Sequence, residues 1–398
     1  MVLRIPGREC VGPAGPVENL VELSLLSLVR CPAEVDGAVC FGPLALDGTA
    51  AEPVMFAGGE ADLADGVLRC AVCGARYPVV CGVPVLLPSV AGWARSNYWF
   101  LLGFAGEMGG APTAALPLLK ELAAGEQGLP PRQLYDRRWS TRVAKFVSSY
   151  LVSHHLGLDR LSMLGPAQLR LAREAAAAGG PHDVLEAMFR RHGGVASRGP
   201  VLDVGCSVGG MTARLAGEGR LAVGVDISFE SLVWARALLT GRPEPPARAP
   251  VFTEGDNREG VCLAPKAGRP CEFVLAGGEQ LPFADGGFGA AAGCNLIDVM
   301  DRPQRLLEEK SRLLAPGGLL LLSTPFLHTT TGVSRCLAPE GRSPTERLGE
   351  LLADRQFELL EEQDDVPWVL YHYRRRLDFY LTYCLAARRR PAAECIQR

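Results

Sequence analysis

The sequence predicts an α/β fold: a seven-stranded, mostly parallel sheet that follows a small β-rich module and a helical segment. Three observations carry this prediction. From about residue 200 onward, apolar runs alternate with helix-like stretches, which is typical of parallel strands covered by helices on both faces. Residues 93–190 carry apolar side chains at helical spacing. Residues 20–90 hold five cysteines among short apolar runs that glycine and proline interrupt.

These changes in sequence pattern divide the chain into three predicted parts. Residues 1–92 form the β module, residues 93–194 the helical segment, and residues 195–398 the sheet domain. The helical segment is a candidate lid over any site on the sheet. The stretch "RRHGGVASRGP" at 190–200 is interpreted as the linker between the last two parts.

Composition excludes several function classes. The net charge is −3, so no global basic field indicates a nucleic-acid partner. No apolar run approaches the roughly 20 residues that a membrane-spanning helix needs. The N-terminus lacks the basic and then apolar layout of a secretory signal. We therefore expect a cytoplasmic protein whose thirteen cysteines are thiols or metal ligands rather than disulfides.

Seven segments of the last part are predicted strands. Five are expected in the parallel portion: "GPVLDV", "RLAVGVDIS", "CEFVLAGG", "FGAAAGCNL" and "GGLLLLSTP". Two later stretches, "FELLEEQ" and "DFYLTYCLAA", complete the sheet. Sheets of this kind bind ligands beyond the carboxyl ends of their strands.

A glycine-rich turn follows the first of these strands, in "PVLDVGCSVGGMTARLA". The apolar run stops at Asp203, and glycines at 205, 209 and 210 precede a helix. Glycine lets backbone N–H groups approach a ligand closely, and a helix N-terminus favours an anionic group. A tight strand-to-helix turn would also explain the glycines alone. Asp226, which ends the second strand about twenty residues later, favours a nucleotide site because such a carboxylate binds a ribose diol.

The spacing Asp203-x-Gly205-x-x-x-Gly209 resembles the first motif of class I S-adenosylmethionine-dependent methyltransferases. Three further stretches extend the resemblance: "VGVDIS", "GGEQLPFADGGF" and "NLIDVMDRPQRLLEEKSRLLAPGGLLLLSTPF". The resemblance covers roughly residues 195–390 and implies a Rossmann-like methyltransferase sheet with S-adenosyl-L-methionine as cofactor. Where the family has an adenine-contacting aspartate, this chain has Gly277, and Gly289 replaces another frequent aspartate.

The resemblance implies a set of cofactor-binding residues. The glycine loop would wrap the methionine part, with Asp203 near its amino group and Asp226 at the ribose. Backbone at Gly278 or Glu279 would replace the missing adenine contact. The full implied set is Asp203, Gly205, Cys206, Ser207, Gly209, Asp226, Ile227, Gly278, Glu279 and Asn295.

Candidate catalytic residues follow the fourth strand and lie near the chain's end. Asn295 is expected to face the transferred methyl group, with Asp298 one helical turn later; a helix N-cap is the alternative role for Asp298. In "VPWVLYHYRRR", Tyr371 and Tyr373 could form a wall for the acceptor. The arginines at 374–376 could pair with an acceptor carboxylate or belong to a solvated face.

Three histidines receive weaker assignments. His328 follows the fifth strand and is either a pocket residue or an exposed loop residue. His154 and His155 lie in a helical stretch and are interpreted as surface or packed side chains.

A second resemblance bears on the acceptor. "NLID", "FTEGDNREGV" and "DDVPWVLYHYRRR" are together similar to the methyltransferase domain of ovothiol-biosynthesis enzymes, which methylate an imidazole nitrogen of a thiol-bearing histidine. This resemblance implies that Asn295 and Asp298 orient the acceptor and that Tyr371 or Tyr373 encloses it. Val299 replaces the arginine expected after the motif.

The early cysteines suggest a metal site. Cys70-x-x-Cys73 is a knuckle that presents two thiolates to one tetrahedral zinc ion. The stretch from the leucines before Cys31 to "YPVVCGVPVLLP" resembles a small zinc-ribbon family that activates RNA and protein methyltransferases. The family's second cysteine is expected at position 34, where this chain has Glu34, and the next cysteine is Cys40. We therefore expect Cys31, Cys40, Cys70 and Cys73 as ligands of a structural zinc; a metal-free ribbon with buried thiols is the alternative.

Three functions remain open at this point. The first is a methyltransferase for a small amino-acid-like or heteroaromatic acceptor, at nitrogen. The second is an RNA or protein methyltransferase in which the zinc ribbon handles the substrate. The third, suggested by Gly277 and Gly289, is a cofactor-binding protein without turnover.

Overall fold

A computed structural model describes most of the chain. The described residues are 25–48, 54–55, 61–108, 112–132, 137–157, 164–194, 199–217, 220–242, 244–246, 248–263, 268–327, 337 and 341–391.

A seven-stranded sheet forms the centre of the molecule. Its strands are β9 (Val201–Val204), β10 (Ala222–Asp226), β13 (Cys271–Leu275), β14 (Phe288–Cys294), β15 (Leu314–Thr324), β16 (Phe357–Tyr373) and β17 (Arg376–Arg389). Their order across the sheet is β13-β10-β9-β14-β15-β17-β16. The first five are parallel, while β17 is antiparallel to β15 and to β16. The sequence-based prediction of a seven-stranded, mostly parallel, Rossmann-like sheet is confirmed.

Helices cover both faces of this sheet. They are α6 (Pro181–His192), α7 (Gly210–Leu215), α8 (Phe229–Thr240), α9 (Pro303–Leu313) and α10 (Pro344–Asp354). The helix α8 packs on β10 and β13, α9 packs on β15, and α6 packs on β15 and β17. The five parallel strands are buried almost throughout because each face meets a helix, whereas β16 and the first half of β17 are largely exposed or half-buried. The reversal of strand order lies between β9 and β14, so ligands are expected at the carboxyl ends there.

The helical segment contacts the N-terminal module at one end and β16 at the other. It consists of α2 (Val90–Glu107), α3 (Leu116–Ala124), a 3₁₀ turn (Gly125–Gln127), α4 (Arg137–Leu151), a π turn (Val152–Leu156) and α5 (Pro166–Ala178). The helix α4 contacts β16 and a hairpin of β11 (Ala249–Phe252) with β12 (Arg258–Val261). The sequence analysis did not predict this hairpin.

The N-terminal part is a small β module. It contains α1 (Leu25–Leu28), the pair β1 (Glu34–Val35) and β2 (Ala38–Val39), and the pair β4 (Val54–Met55) and β5 (Ala61–Asp62). A four-stranded antiparallel sheet joins β3 (Leu44–Leu46), β6 (Gly66–Cys70), β7 (Arg76–Val80) and β8 (Val83–Pro84).

The module docks on the β13 edge of the large sheet. Leu86 N–H donates to the Leu275 carbonyl at 2.8 Å, next to a parallel bridge between Val85 and Leu275. Arg30 N–H donates to the Pro282 carbonyl at 2.7 Å. These backbone bonds satisfy part of an otherwise open sheet edge. The residue boundaries of the three predicted parts stay a prediction.

Candidate functional site

The glycine loop after β9 adopts backbone conformations that explain its composition. Gly205 and Gly209 have φ of 75° and 78°, and Gly209 caps the N-terminus of α7. A Cβ on Gly209 would lie 2.9 Å from Leu239 and 3.1 Å from Ala235. Ser207 also takes a positive φ, 49°, which is uncommon for a residue with a side chain. At position 209, glycine is therefore required both by the positive φ and by the lack of room for a side chain.

Asp226, at the end of β10, lies beside this loop. Its carboxylate accepts hydrogen bonds from Ser207 N–H and Ser228 N–H, each at 2.8 Å. Burial raises the pKa of this carboxyl, and the backbone N–H donors oppose that shift. A carboxylate oxygen has two acceptor positions, so Asp226 can hold the loop and still accept from a ligand hydroxyl.

A cleft at the carboxyl ends of the strands consists of two connected cavities. The module-side cavity has a volume of about 510 Å³ and the helix-side cavity about 210 Å³. Both are lined by the same five residues where they meet: Gly205, Asp226, Ile227, Leu296 and Val299. Gly205 of the predicted loop and the Asp226 carboxylate thus lie where the two cavities meet, while Asp203 lines the helix-side cavity alone.

The module-side cavity is walled by the segment after β13 and by the N-terminal module. Leu87 and Pro88 of the module line it, together with residues 276–280. Gly277 faces open space, with nothing within 4 Å of the position a Cβ would take. Glu279 also lines this cavity, and its carboxylate is ion-paired with Arg302. A ligand here meets mainly apolar surface and backbone, together with this ion pair and the side chains of Asp226, Gln280 and Asp301.

The helix-side cavity contains buried polar atoms that have no hydrogen-bond partner within the described part of the chain. They are Asp203 Oδ1, Ser207 Oγ and His154 Nδ1. The other oxygen of Asp203 accepts from the Thr212 hydroxyl at 2.6 Å. Burial raises the pKa of Asp203 to about 6, although the Thr212 bond and Lys310 lower it. Unpaired buried polar groups are costly, so three around one cavity indicate a polar ligand.

Aromatic side chains form the outer wall of the helix-side cavity. Phe146 and Tyr150 come from α4, His154 from the π turn, His182 from α6 and Trp368 from β16. The rings of His154 and His182 meet edge to face, with centroids 4.6 Å apart. Phe146, Tyr150, His182 and Trp368 were not predicted from the sequence. His154 was predicted to be a surface or packed residue.

Asn295 and Asp298 follow β14, and the structure separates them. Asn295 lines the helix-side cavity with a φ of 50°. Its side-chain oxygen accepts from the Ser323 hydroxyl at 2.8 Å. Asp298 is fully buried, and its carboxylate accepts from Leu327 N–H at 2.7 Å. It lines neither cavity of the cleft; it holds the segment after β15. The expectation that Asp298 orients the acceptor is therefore corrected.

Tyr371 and Tyr373 also lie outside the cleft. Tyr371 is fully buried, and its hydroxyl donates to the Phe252 carbonyl at 2.7 Å. Tyr373 is 39% exposed at the far end of β16. Side chains alternate between the two faces of a strand, so Trp368 faces the cavity and Tyr371, three residues later, faces the β11–β12 hairpin. The predicted tyrosine wall is replaced by Trp368.

The arginine run beyond these tyrosines faces solvent. Arg375 is ion-paired with Glu254 and Arg376 with Asp378. Neither arginine lines the cleft. His328 lies outside the described residues.

A separate, more open depression of about 780 Å³ lies between α6 and the end of α7. It is lined by Arg190, Arg214, Arg220 and Arg269 together with Glu186. Arg190 and Arg214 are both paired with Glu186. It shares no residue with the cleft, so we place the functional site in the cleft, where the predicted residues converge.

The four predicted metal ligands meet in the N-terminal module. The sulfur atoms of Cys31, Cys40, Cys70 and Cys73 all lie within 4.8 Å of one another. The Cys31–Cys73 and Cys40–Cys70 sulfur pairs are 3.5 and 3.7 Å apart. A tetrahedral zinc with bonds of about 2.3 Å requires sulfur atoms about 3.8 Å apart. These two pairs match this spacing, and the donor set as a whole can hold such an ion after small adjustments of the side chains.

Backbone donors support this interpretation of the knuckle. Val72 N–H and Cys73 N–H point at the Cys70 sulfur, at 3.3 and 3.5 Å. Burial alone would raise the pKa of Cys70, but these donors outweigh it and lower the pKa to about 7. The Cys70 thiolate is thus readily available as a ligand.

Comparison with known proteins supports the resemblance in the sheet domain. Residues 202–322 match a family model described as a methyltransferase domain. The predicted resemblance to a methyltransferase domain is therefore confirmed for residues 202–322. The match covers less than half of the chain. Over the described residues, no helix has the length and apolarity needed to cross a membrane.

Uncharacterized methyltransferases of mycobacteria share part of this sequence. One from Mycolicibacterium gilvum is 40% identical over 74 residues, which is 18% of this chain and 29% of that protein. One from Mycobacterium leprae is 39% identical over 77 residues, 18% of this chain and 28% of that protein. The chain spans less than a third of the length of these relatives.

Solved structures give lower similarity. The [4+2]-cyclase SpnF is 18% identical, with a TM-score of 0.39, over 66% of this chain and 97% of that chain. The magnesium protoporphyrin IX methyltransferase of Synechocystis, solved with bound S-adenosylmethionine, is 17% identical with a TM-score of 0.36. That match covers 62% of this chain and 97% of that chain.

Proposed function

We propose that this protein is an S-adenosylmethionine-dependent methyltransferase whose acceptor is a small heteroaromatic or amino-acid-like molecule, methylated at nitrogen. The observation that carries the proposal is the cleft itself. Its junction holds the glycine loop and Asp226, and its helix-side cavity combines unpaired polar atoms with an aromatic wall. A thiol-bearing histidine, suggested by the sequence resemblance, is one acceptor of this class.

The residues of the cleft fit the cofactor. Asp226 would accept hydrogen bonds from the ribose hydroxyls, and Asp203 Oδ1 would accept from the amino group of the methionine part. The adenine would occupy the module-side cavity between residues 276–280 and Leu87. When bound, the cofactor supplies an electrophilic methyl group on a positively charged sulfur. The protein contributes mainly positioning and exclusion of water.

The size of the helix-side cavity supports a small acceptor. Its volume of about 210 Å³ must hold the methionine part of the cofactor together with the acceptor, so it has room for a small acceptor only. Within the described residues that line it, no lysine or arginine is present. Its polar lining consists of two carboxylates, two histidines, two cysteines, Asn295, Ser207, Tyr150 and Trp368. Carboxylates and neutral histidines favour a neutral or cationic ring over an anionic one.

The position of the N-terminal module bears on the second function, an RNA or protein methyltransferase. Leu87 and Pro88 line the module-side cavity, while no described residue of the module lines the helix-side cavity. The module therefore supports cofactor binding rather than acceptor handling in our proposal. We also propose that its four cysteines hold one structural zinc ion, which would stabilise a unit too small for a large core.

The test is transfer of labelled methyl from S-adenosylmethionine into cell extract that has been separated into small molecules, RNA and protein. We expect label in the small-molecule fraction, lost with Asp226→Ala and kept with Asp285→Ala, an exposed carboxylate paired with Arg312. Label in RNA or protein would overturn the acceptor class. Cofactor binding without transfer to any fraction would favour the third function, binding without turnover.

Metal content tests the zinc proposal separately. Purified protein should contain one zinc per chain by elemental analysis, and Cys70→Ser should lower that content. Cys262→Ser, which removes an exposed cysteine outside the cluster, is the matched control. Protein purified without metal under reducing conditions, and unable to take up added zinc, would contradict the assignment.

A further inference from the structure

Aromatic rings from two separate elements line the helix-side cavity. Phe146 and Tyr150 are one turn apart on α4, and Trp368 lies on β16, which α4 contacts. The rings of Phe146 and Tyr150 have centroids 4.7 Å apart and are inclined by 54° rather than stacked. Trp368 lies directly opposite Tyr380 of β17, and these two rings have centroids 5.2 Å apart. The indole is therefore held in place from behind, next to the cavity.

The charged groups of this cavity are acidic. Asp203 and Asp226 line it, and no lysine or arginine is present among its described lining residues. The pKa of Asp203, about 6 because of burial, leaves this carboxylate ionised at pH 7. The faces of aromatic rings also attract positive charge, because their quadrupole is negative there. The cavity is thus complementary to a cation.

The described lining residues that are not assigned to the cofactor offer no proton acceptor at pH 7. Burial lowers the pKa of His182 to about 4 and holds that of His154 well below its usual value. Burial raises the pKa of Tyr150 to about 12 and the pKa values of Cys206 and Cys294 well above the usual range, so these groups keep their protons. An acceptor that already has a free lone pair at pH 7 suits this cavity, since it needs no base.

We propose that the acceptor atom is a pyridine-type ring nitrogen, uncharged at pH 7, and that Trp368 and Tyr150 bind the positive charge that methylation creates on its ring. This inference rests on the proposed function and deepens it, because it names the kind of nitrogen and the residues that select it. Such a nitrogen has a lone pair in the ring plane and carries no hydrogen. A protonated amine has no free lone pair and is excluded.

The proposed step moves no proton. The lone pair of the ring nitrogen forms the new N–C bond, while the S–C bond breaks and its electron pair stays on sulfur. One positive charge disappears from sulfur and appears on the methylated ring, so the total charge in the cavity is unchanged. The products are S-adenosylhomocysteine and an N-methylated ring cation. Because the aromatic faces attract the ring more strongly as it becomes charged, they stabilise the transition state more than the substrate.

Four proteins test the role of the indole: wild type, Trp368→Leu, Trp368→Phe and Phe379→Leu. Phe379 is the neighbour of Tyr380 on β17, is 47% exposed and is not among the described residues that line either cavity. The ring probes are pyridine-3-carboxamide and 1-methylimidazole, each with labelled S-adenosylmethionine. N,N-dimethylglycine, a protonated amine at pH 7, is the probe that should not be methylated.

We expect Trp368→Leu to lower kcat/KM for the ring probes roughly 10–30-fold, as for loss of a cation–π contact in a site shielded from water. Trp368→Phe keeps a ring with a weaker negative face and should lower kcat/KM roughly threefold. Phe379→Leu should match wild type. Affinity for S-adenosylhomocysteine, measured on each variant, shows whether the cleft is intact.

A binding measurement separates this role from a structural one. N-methylpyridinium and toluene have nearly the same shape and differ in charge. Their affinities for the complex with S-adenosylhomocysteine are measured by titration calorimetry. The ratio of the two affinities should fall roughly tenfold in Trp368→Leu and less in Trp368→Phe. A residue that only shapes the cavity would change both affinities by the same factor and leave the ratio as in wild type.

The outcomes are distinguishable. Wild type that fails to bind S-adenosylhomocysteine contradicts the proposed function itself. Wild type that binds it but methylates neither ring probe, or methylates N,N-dimethylglycine instead, overturns the acceptor class that the inference assigns. Unchanged kcat/KM in Trp368→Leu, or an unchanged ratio of the two affinities, overturns the role of the indole alone. A fall in kcat/KM together with a fall in the ratio supports it.

Discussion

The two ends of the cleft are constructed by different means. The module-side cavity is lined by backbone, by apolar residues such as Leu87 and Pro88, and by an ion pair already satisfied between Glu279 and Arg302. The helix-side cavity presents unpaired polar atoms on Asp203, Ser207 and His154. The first end can bind a flat group by contact area, while the second is arranged to bind specific polar atoms. Contact with a flat group and hydrogen bonding to specific polar atoms are thus separated along one cleft.

The elements that close the two ends also differ. The N-terminal module closes the first by backbone hydrogen bonds: Arg30 N–H to the Pro282 carbonyl and Leu86 N–H to the Leu275 carbonyl. The Gln280 side chain also donates to the Pro32 carbonyl, next to a predicted metal ligand. The helical segment closes the second end with aromatic side chains. Replacing a side chain should therefore affect the helix side more than the module side.

Asp226 lies where the two ends meet, so its loss should have the largest effect. Asp226→Ala removes the acceptor of Ser207 N–H and Ser228 N–H and the expected ribose contact. We expect affinity for S-adenosylhomocysteine to fall at least about 100-fold, or roughly 2.7 kcal/mol, by titration calorimetry. Asp285→Ala is the control. An affinity within a few-fold of wild type would show that the cleft does not bind the cofactor through this carboxylate.

Loss of the cysteine cluster tests how far the module side depends on its metal. Cys70→Ser, or chelation of the metal, should lower Tm by at least about 5 °C, since a structural metal contributes directly to folding free energy. It should also weaken cofactor binding, because the module holds both ends of the segment at 275–282. Cys262→Ser should leave Tm unchanged. Equal Tm values for Cys70→Ser and wild type would show that the stability of the protein does not depend on the cysteine cluster.

The pH dependence of folding stability tests the role of Asp203 in the helix-side cavity. Burial raises its pKa from the ordinary value of 3.8 to about 6. Between those values the folded protein keeps a proton that the unfolded chain has released, so stability falls as pH rises through this window. Asp203→Asn should remove that dependence and stabilise the cofactor-free protein at pH 7 by roughly 1–3 kcal/mol.

The same carboxylate should make cofactor affinity fall as pH drops below about 6, because its protonation removes the partner of the amino group. Asp203→Asn should weaken binding at pH 7 and abolish this acid-side loss. Denaturant unfolding and calorimetry at pH 4 to 8 measure both effects, with Asp285→Asn as control. A variant that binds the cofactor like wild type, with the same pH profile, would show that Asp203 is only a structural residue.

Leu87 should give the smallest effect. Leu87→Ala removes apolar contact from the module-side cavity, which costs about 1 kcal/mol for a half-buried side chain. We expect cofactor affinity to fall roughly 3–10-fold with kcat at saturation unchanged. Leu171→Ala, on an exposed face of α5, is the matched control. A fall in kcat instead would mean that the module-side cavity also affects the reaction at the helix side.

The sequence by itself determined the sheet and the side of the cleft that the glycine loop forms. Strands that are apolar throughout, and glycines after Asp203, are local patterns, and local patterns follow from backbone sterics and burial. The four cysteines were likewise predicted from spacing and resemblance, and their sulfur atoms converge. Asn295 and Asp226 were predicted as strand-end residues, and both line the cleft.

Only the tertiary structure decided which side chains complete the helix-side cavity. His154 reaches it because a π turn breaks the helical period that the sequence pattern assumes. Trp368 reaches it, and Tyr371 does not, because side chains alternate along β16 and these two lie on opposite faces. No local signal in the sequence shows which face of β16 meets the cleft. Such long-range choices depend on how separate elements pack, and a periodicity within one element carries no information about its neighbours.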